Sequence, residues 1–208
     1  RIARTLLEHC GPAAEPVALF FDQGTSLVAA ALGVLAAGKY YVPLDPAYPR
    51  AHLLATLRDL QPRFTLTDLR HRDLASRLVP DCGQILAVDE IDTTTLARAA
   101  LPTVAPDALA YIFYTSGSTG EPKGVMHTSK TILSNAHPFR ERLGLSGQDI
   151  VFMSSPLAHL GGLDCAEPKQ WQQRRGVVII EAPLRRAPRA QVLREERSRH
   201  DQPPRSEN

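Results

Sequence analysis

Leu109-Ala110-Tyr111-Ile112-Phe113-Tyr114-Thr115-Ser116-Gly117-Ser118-Thr119-Gly120-Glu121-Pro122-Lys123-Gly124 is the stretch on which the reading of this chain turns. Leu109 to Tyr114 is a compact run of apolar and aromatic residues and reads as a buried β-strand. It empties directly into a loop rich in glycine and hydroxyl groups. Backbone N–H groups in such a loop converge on an anion. Gly117, Gly120 and Gly124 remove side-chain bulk, so that phosphate oxygens reach the backbone. Thr115, Ser116, Ser118 and Thr119 add hydroxyls, and Lys123 adds a compact positive charge suited to a polyphosphate. Pro122 restricts the chain beside that lysine. The segment is not a Walker loop, which needs G-x-x-x-x-G-K-[ST]. Counted from Gly117, Pro122 stands where the second glycine belongs, and Gly124 follows the lysine in place of Ser or Thr.

Upstream of this stretch, strand-like and helix-like segments alternate. Arg1 to Leu7, with Glu8 and His9, reads as an amphipathic helix, and Val17 to Phe21 as a buried strand. Leu27 to Ala37 reads as an apolar helix capped by Thr25 or Ser26 and stopped at Gly38. Tyr40 to Leu44 is a short strand, followed by a turn stiffened by Pro46 and Pro49. Leu53, Leu54, Leu57 and Leu60 give Arg50 to Leu60 helical spacing, and Pro62 is expected to end that helix. Arg63 to Thr67 and Gln84 to Val88 are further strands around a polar helix near Leu69 to Leu78. Asp92 to Asp107, rich in Thr, Ala and Pro, is expected to cross the surface. Downstream, Thr128 or Ser129 caps a helix from Lys130 to about Leu143, and Asp149 to Ser154 is a last strand. The alternation predicts an α/β domain with a mostly parallel sheet flanked by helices.

From residue 164 the character changes. Residues 164–208 are rich in Arg, Glu, Gln and Pro, with one strand candidate at Gly176 to Ile180. They are expected to form a divergent, Arg-rich and largely disordered tail behind a partial domain at residues 1–163. A tail that binds nucleic acid is disfavoured by the interspersed Glu181, Glu195 and Glu196, and Trp171 is its lone aromatic residue. The whole chain carries a net charge of +2, far from the basic field of a nucleic-acid binder. No apolar run nears the roughly 20 residues of a membrane helix. Arg1 is followed by no apolar signal core, and the chain reads as beginning inside a longer protein. Cys10, Cys82 and Cys165 lack metal or redox spacing, consistent with reduced thiols and a cytoplasmic location. The histidines form no zinc motif.

Tyr114 to Gly124 resembles, at every position, the signature [YF]-T-[ST]-G-[ST]-[ST]-G-x-P-K-G of the adenylate-forming (AMP-binding) superfamily. That superfamily includes acyl-CoA ligases, the adenylation domains of peptide synthetases, and luciferases. Leu32-Gly33-Val34-Leu35-Ala36-Ala37-Gly38-Lys39-Tyr40-Tyr41-Val42-Pro43-Leu44-Asp45-Pro46 resembles the family's upstream motif, in which Asp45 reads as a turn or cap residue and not as a catalyst. Pro156 to Gly162 resembles the segment lining the acyl pocket in CoA ligases, and His159 would then lie near the substrate carboxylate. The alternative reading of His159 is an ordinary residue of a glycine-rich loop.

The resemblance implies a partial N-terminal core of the adenylate-forming ligase fold and a reaction in two halves. A carboxylic or amino acid attacks the α-phosphorus of ATP, and a thiol of CoA or of a carrier protein's phosphopantetheine then takes the acyl group. Thr115, Ser116, Gly117, Ser118, Thr119, Gly120 and Lys123 would hold the phosphates. Lys123 would act as the catalytic cation and Thr115 as a ligand to Mg2+. The family's aromatic-Gly-x-Thr-Glu and Thr-Gly-Asp segments have no counterpart in these 208 residues, and no Lys follows Lys169. The chain alone is therefore expected to be inactive. A non-catalytic remnant that binds a nucleotide or a partner, and a phosphotransferase, stay open as alternatives.

Overall fold

The computed structural model of the chain describes residues 1–78, 83–92, 100–116 and 122–144. The strand expected at Asp149 to Ser154, His159, the tail and its Gly176 to Ile180 strand, Cys82 and Cys165 lie outside the described residues.

The described elements run α1 (Ile2–Cys10), β1 (Pro16–Phe20), α2 (Thr25–Ala36), β2 (Tyr40–Leu44), α3 (Arg50–Leu60), β3 (Phe64–Thr67), α4 (Arg72–Leu78), β4 (Gln84–Ala87), β5 (Leu109–Ser116), β6 (Pro122–Thr128) and α5 (Ser129–Leu143). They form a six-stranded sheet of order β4-β3-β1-β2-β5-β6. Every pairing is parallel except β5 with β6. The expected mostly parallel α/β architecture is what the chain adopts.

Strand alternation divides the core between the two faces of the sheet. Val17, Leu19, Tyr41, Leu66, Tyr111 and Phe113 pack with α1 and α2 on one face. Ala18, Phe20, Val42 and Leu44 pack with Leu53 and Leu57 of α3 and Ala75 and Leu78 of α4 on the other. Burial on both faces makes these strands near-continuous apolar runs, as parallel strands require. Helix α1 lies close over α2 because Gly33 has no side chain. A Cβ there would stand 2.6 Å from Ile2 Cβ.

Some local expectations differ in detail. Helix α2 begins at Thr25 with Gly24 as its N-cap, and no side chain caps it. Helix α3 ends with Gln61 in a left-handed conformation (φ 46°), one residue before Pro62. Of the two expected caps of α5, Thr128 is the one used: its hydroxyl accepts from the Thr131 amide, and the Thr131 hydroxyl oxygen accepts from the Thr128 amide. Asp45 is a turn residue, its carboxylate accepting from the Ala47 amide at 2.8 Å. Strand β6 forms where the sequence predicts a loop continuing through Gly124. Among the described residues, no helix is long and apolar enough to cross a membrane.

Candidate functional site

Strands β1, β2, β3 and β5 run in one direction, so their carboxyl ends share one edge of the sheet. In an open α/β sheet the usual ligand crevice lies at that edge, where successive connections depart in opposite directions. Here that point falls between β1, which leads to β2 on one side, and β3, which leads to β4 on the other. Side chains bonded to one another occupy it. The Thr67 hydroxyl donates to the Phe20 carbonyl at 2.8 Å. His71 places Nδ1 at 2.7 Å from Asp68 Oδ1 and Nε2 at 3.3 Å from Asp22 Oδ2.

Burial acts to raise the Asp68 pKa. The bonds from the His71 ring and backbone amide, with the charges of His71 and Arg70, outweigh it and hold the carboxyl below its ordinary value of 3.8. A depressed folded-state pKa stabilises the fold fully above the ordinary value. That stability is lost as pH falls through the depressed one. Between pH 5 and pH 2, Asp68→Asn is therefore expected to lose less stability than the native chain (pH limits about those of carboxylate titration). Urea midpoints across that range test this, and equal losses would contradict it.

The phosphate-type loop leaves from β5, further along the same edge. Antiparallel pairing of β5 with β6 makes it the tip of a hairpin, with Tyr114 opposite Gly124, Thr115 opposite Lys123, and Ser116 opposite Pro122. Residues directly opposite in an antiparallel pair present their side chains to the same face. Thr115 and Lys123 therefore stand side by side at the root of the loop, both exposed. The Thr115 hydroxyl reaches the Lys123 carbonyl at 3.5 Å, a long contact. Of the expected site residues, the described set places Thr115 and Lys123 opposite one another, with the backbone of Ser116 next along β5. Gly117, Ser118, Thr119, Gly120 and His159 lie outside it.

Two features of the hairpin were not anticipated. The Tyr114 hydroxyl donates to Asp59 Oδ2 on α3 at 2.6 Å. Burial, then the bond to Asp59 and its negative charge, push the Tyr114 pKa well up. Gly124 lies directly on the Tyr114 ring, since a Cβ there would stand 3.3 Å from Tyr114 Cζ and 2.9 Å from Ile112 Cγ2. At the opposite edge of the sheet, the fully buried Lys39 ammonium pairs with Glu15 at 2.9 Å and donates to the Ala13 carbonyl at 2.9 Å. Nearby, burial is the main cause that pushes the Cys10 thiol up to about 11. Glu15 adds to the rise, and Lys39 opposes it. Cys10 is thus a buried, packed thiol whose protonated form is favoured.

The family model described as AMP-binding enzyme matches residues 1–197, and the chain belongs to that family. Tyrocidine synthase 3 from Brevibacillus parabrevis is 36% identical over 159 residues, spanning 76% of this chain and 2% of that protein. Among solved structures, the nonribosomal peptide synthetase FmoA3 with bound α-methyl-L-serine-AMP superposes with a TM-score of 0.68 at 28% identity. That match covers 82% of this chain and 21% of the other. O-succinylbenzoate coenzyme A synthetase (MenE) from Bacillus subtilis, in complex with AMP, superposes with a TM-score of 0.70 at 27% identity, over 78% of this chain and 42% of that one. The chain therefore spans less than half the length of each of these relatives.

Proposed function

We propose that this chain is the N-terminal part of a ligase that activates a carboxylic or amino acid with ATP. The observation that carries the reading is the β5–β6 hairpin, which sets Lys123 beside Thr115 at the carboxyl edge of a parallel sheet. The substrate carboxylate attacks the α-phosphorus, the bond to the bridging β-phosphate oxygen breaks, and pyrophosphate leaves. The substrate supplies the nucleophile, so the protein's part is to position groups and stabilise charge. The Lys123 ammonium and the hydroxyls of Thr115 and Ser116, with the backbone amides of residues 117–120, would hold the β- and γ-phosphates.

Magnesium ion would neutralise phosphate charge when bound. Among the described residues, no group of three His, Cys, Asp or Glu could hold a metal ion. Thr115 offers one neutral oxygen, which fits an ion carried in on the nucleotide and keeping most of its waters. In the second half-reaction a thiol displaces AMP from the acyl group. The FmoA3 complex with α-methyl-L-serine-AMP supports an amino acid, and MenE, an O-succinylbenzoate coenzyme A synthetase, supports a carboxylic acid and CoA; a carrier-bound phosphopantetheine is the other acceptor to test. Thioesterification assays of the parent ligase with both acceptors separate the two. His159 would face the substrate carboxylate. The reading carries with it a cytoplasmic setting.

The isolated 208-residue chain holds no counterpart of the later adenine, ribose and lysine segments. It is expected to bind Mg·ATP through the phosphates alone, without catalysing ATP–pyrophosphate exchange. Exchange by the purified chain with any carboxylate would overturn the expected inactivity. Failure to bind Mg·ATP in a calorimetric titration would count against the nucleotide site itself. The second reading, a non-catalytic remnant, rests on the same missing segments. It would gain if the longer parent also lacked exchange.

A further inference from the structure

We infer that Asp59, on α3 and outside the loop motif, is a positioning residue that sets the geometry of the β5–β6 hairpin through Tyr114. Asp59 is the next-to-last residue of α3. A carboxylate there faces the negative end of the helix dipole and weakens the helix. Among the described residues, no lysine or arginine pairs with it. What it does hold is the Tyr114 hydroxyl at 2.6 Å, a short, charge-assisted bond across a sequence separation of 55 residues.

Tyr114 touches both arms of the hairpin. It is bonded through the chain to Thr115, and the hydroxyl end of its ring lies beneath Gly124, the neighbour of Lys123. Fixing one ring therefore ties the ladder that sets Thr115 opposite Lys123 to helix α3. Helix α3 is anchored in the core by the buried Leu53 and Leu57, so the carboxylate is a firm reference point. As the edge strand, β6 is held within the sheet by its ladder to β5 alone. Val125 and Met126 beside the site are exposed, Met126 to 70%.

The geometric part of the inference stands on these contacts. Its consequence for ATP rests on the reading under Proposed function. Two measurements on the full 208-residue chain keep the parts distinguishable. Amide hydrogen exchange at Thr115, Lys123 and Gly124 is expected to quicken about tenfold in Tyr114→Phe and in Asp59→Ala, as loss of one charge-assisted bond implies. Exchange on β1 and β3 should stay unchanged. Asp59→Asn, which keeps an acceptor oxygen, should restore most of the protection. A merely structural role for Asp59 would move β1 and β3 together with the hairpin. Unchanged hairpin exchange in both Tyr114→Phe and Asp59→Ala would overturn the inference.

Affinity for Mg·ATP should fall by a similar factor, about tenfold, in the same two variants and not in Asp59→Asn. The double variant should be no weaker than either single one. No binding by the native chain would count against the nucleotide reading alone, since the exchange experiment decides the positioning role without it. Binding that is native-like in both variants, despite quickened exchange, would remove the ATP consequence.

Discussion

Replacing Lys39 with methionine is expected to destabilise the fold by about 3 kcal/mol, the lower end of the cost of removing one partner of a buried ion pair. For a domain of this size that is a fall in Tm of roughly 10 °C. The Lys39 side chain is 0% exposed and Glu15 17% exposed. Methionine fills much of the same volume, so the loss is not chiefly a cavity effect. The cost arises because the Glu15 carboxylate and the Ala13 carbonyl lose their buried donor. Arg63, at 3.9 Å from Glu15 and itself mostly exposed, is too distant and too solvated to substitute. The double variant Lys39→Met, Glu15→Gln should recover a large part of the loss, because no uncompensated charge remains. Thermal or urea melts of the three proteins give the answer. A single variant as stable as the native chain would show that water reaches the pair.

In the parent ligase, Lys123→Ala is expected to slow ATP–pyrophosphate exchange by about 10²–10³-fold, the scale of losing one preorganised charge-stabilising group. The hairpin root leaves Lys123 exposed and opposite Thr115; under the proposed function its ammonium would follow charge on the departing pyrophosphate. Lys123→Arg should recover only part of the rate. A planar guanidinium spreads the charge that the ammonium concentrates. If the variant exchanged at the native rate, Lys123 would leave the mechanism and the loop would be a backbone cradle alone. The variant's stability should be near native, since no buried contact is lost.

How much of this was legible in the sequence depended on the range of the interaction. Strands β1, β2, β3 and β5 could be read because burial on both sheet faces writes an apolar run into the chain. Strand β6 left no such trace. It lies at the edge with Lys123, Gly124, Val125 and Met126 exposed, so little apolar pattern marks it. Its signal was a glycine-containing interval between two short runs, the mark of a hairpin. Gly24 capping α2 ahead of Thr25 and Ser26 shows a similar limit, since either hydroxyl residue satisfies the local rule.

From sequence alone came the α/β class, Asp45 as a turn or cap residue, a cap at Thr128 or Ser129, and the expectation of an anion-binding loop that is not of Walker type. Each depends on residues a few positions apart, where spacing and side-chain chemistry suffice. Tertiary structure decided the rest. It set Lys123 across from Thr115, filled the β1–β3 crevice with Asp22, His71 and Asp68, buried Lys39 against Glu15, and gave Tyr114 its partner on α3. Those pairings follow from strand order and register. No local periodicity encodes them, because residues far apart in the chain meet only once the sheet has chosen its neighbours.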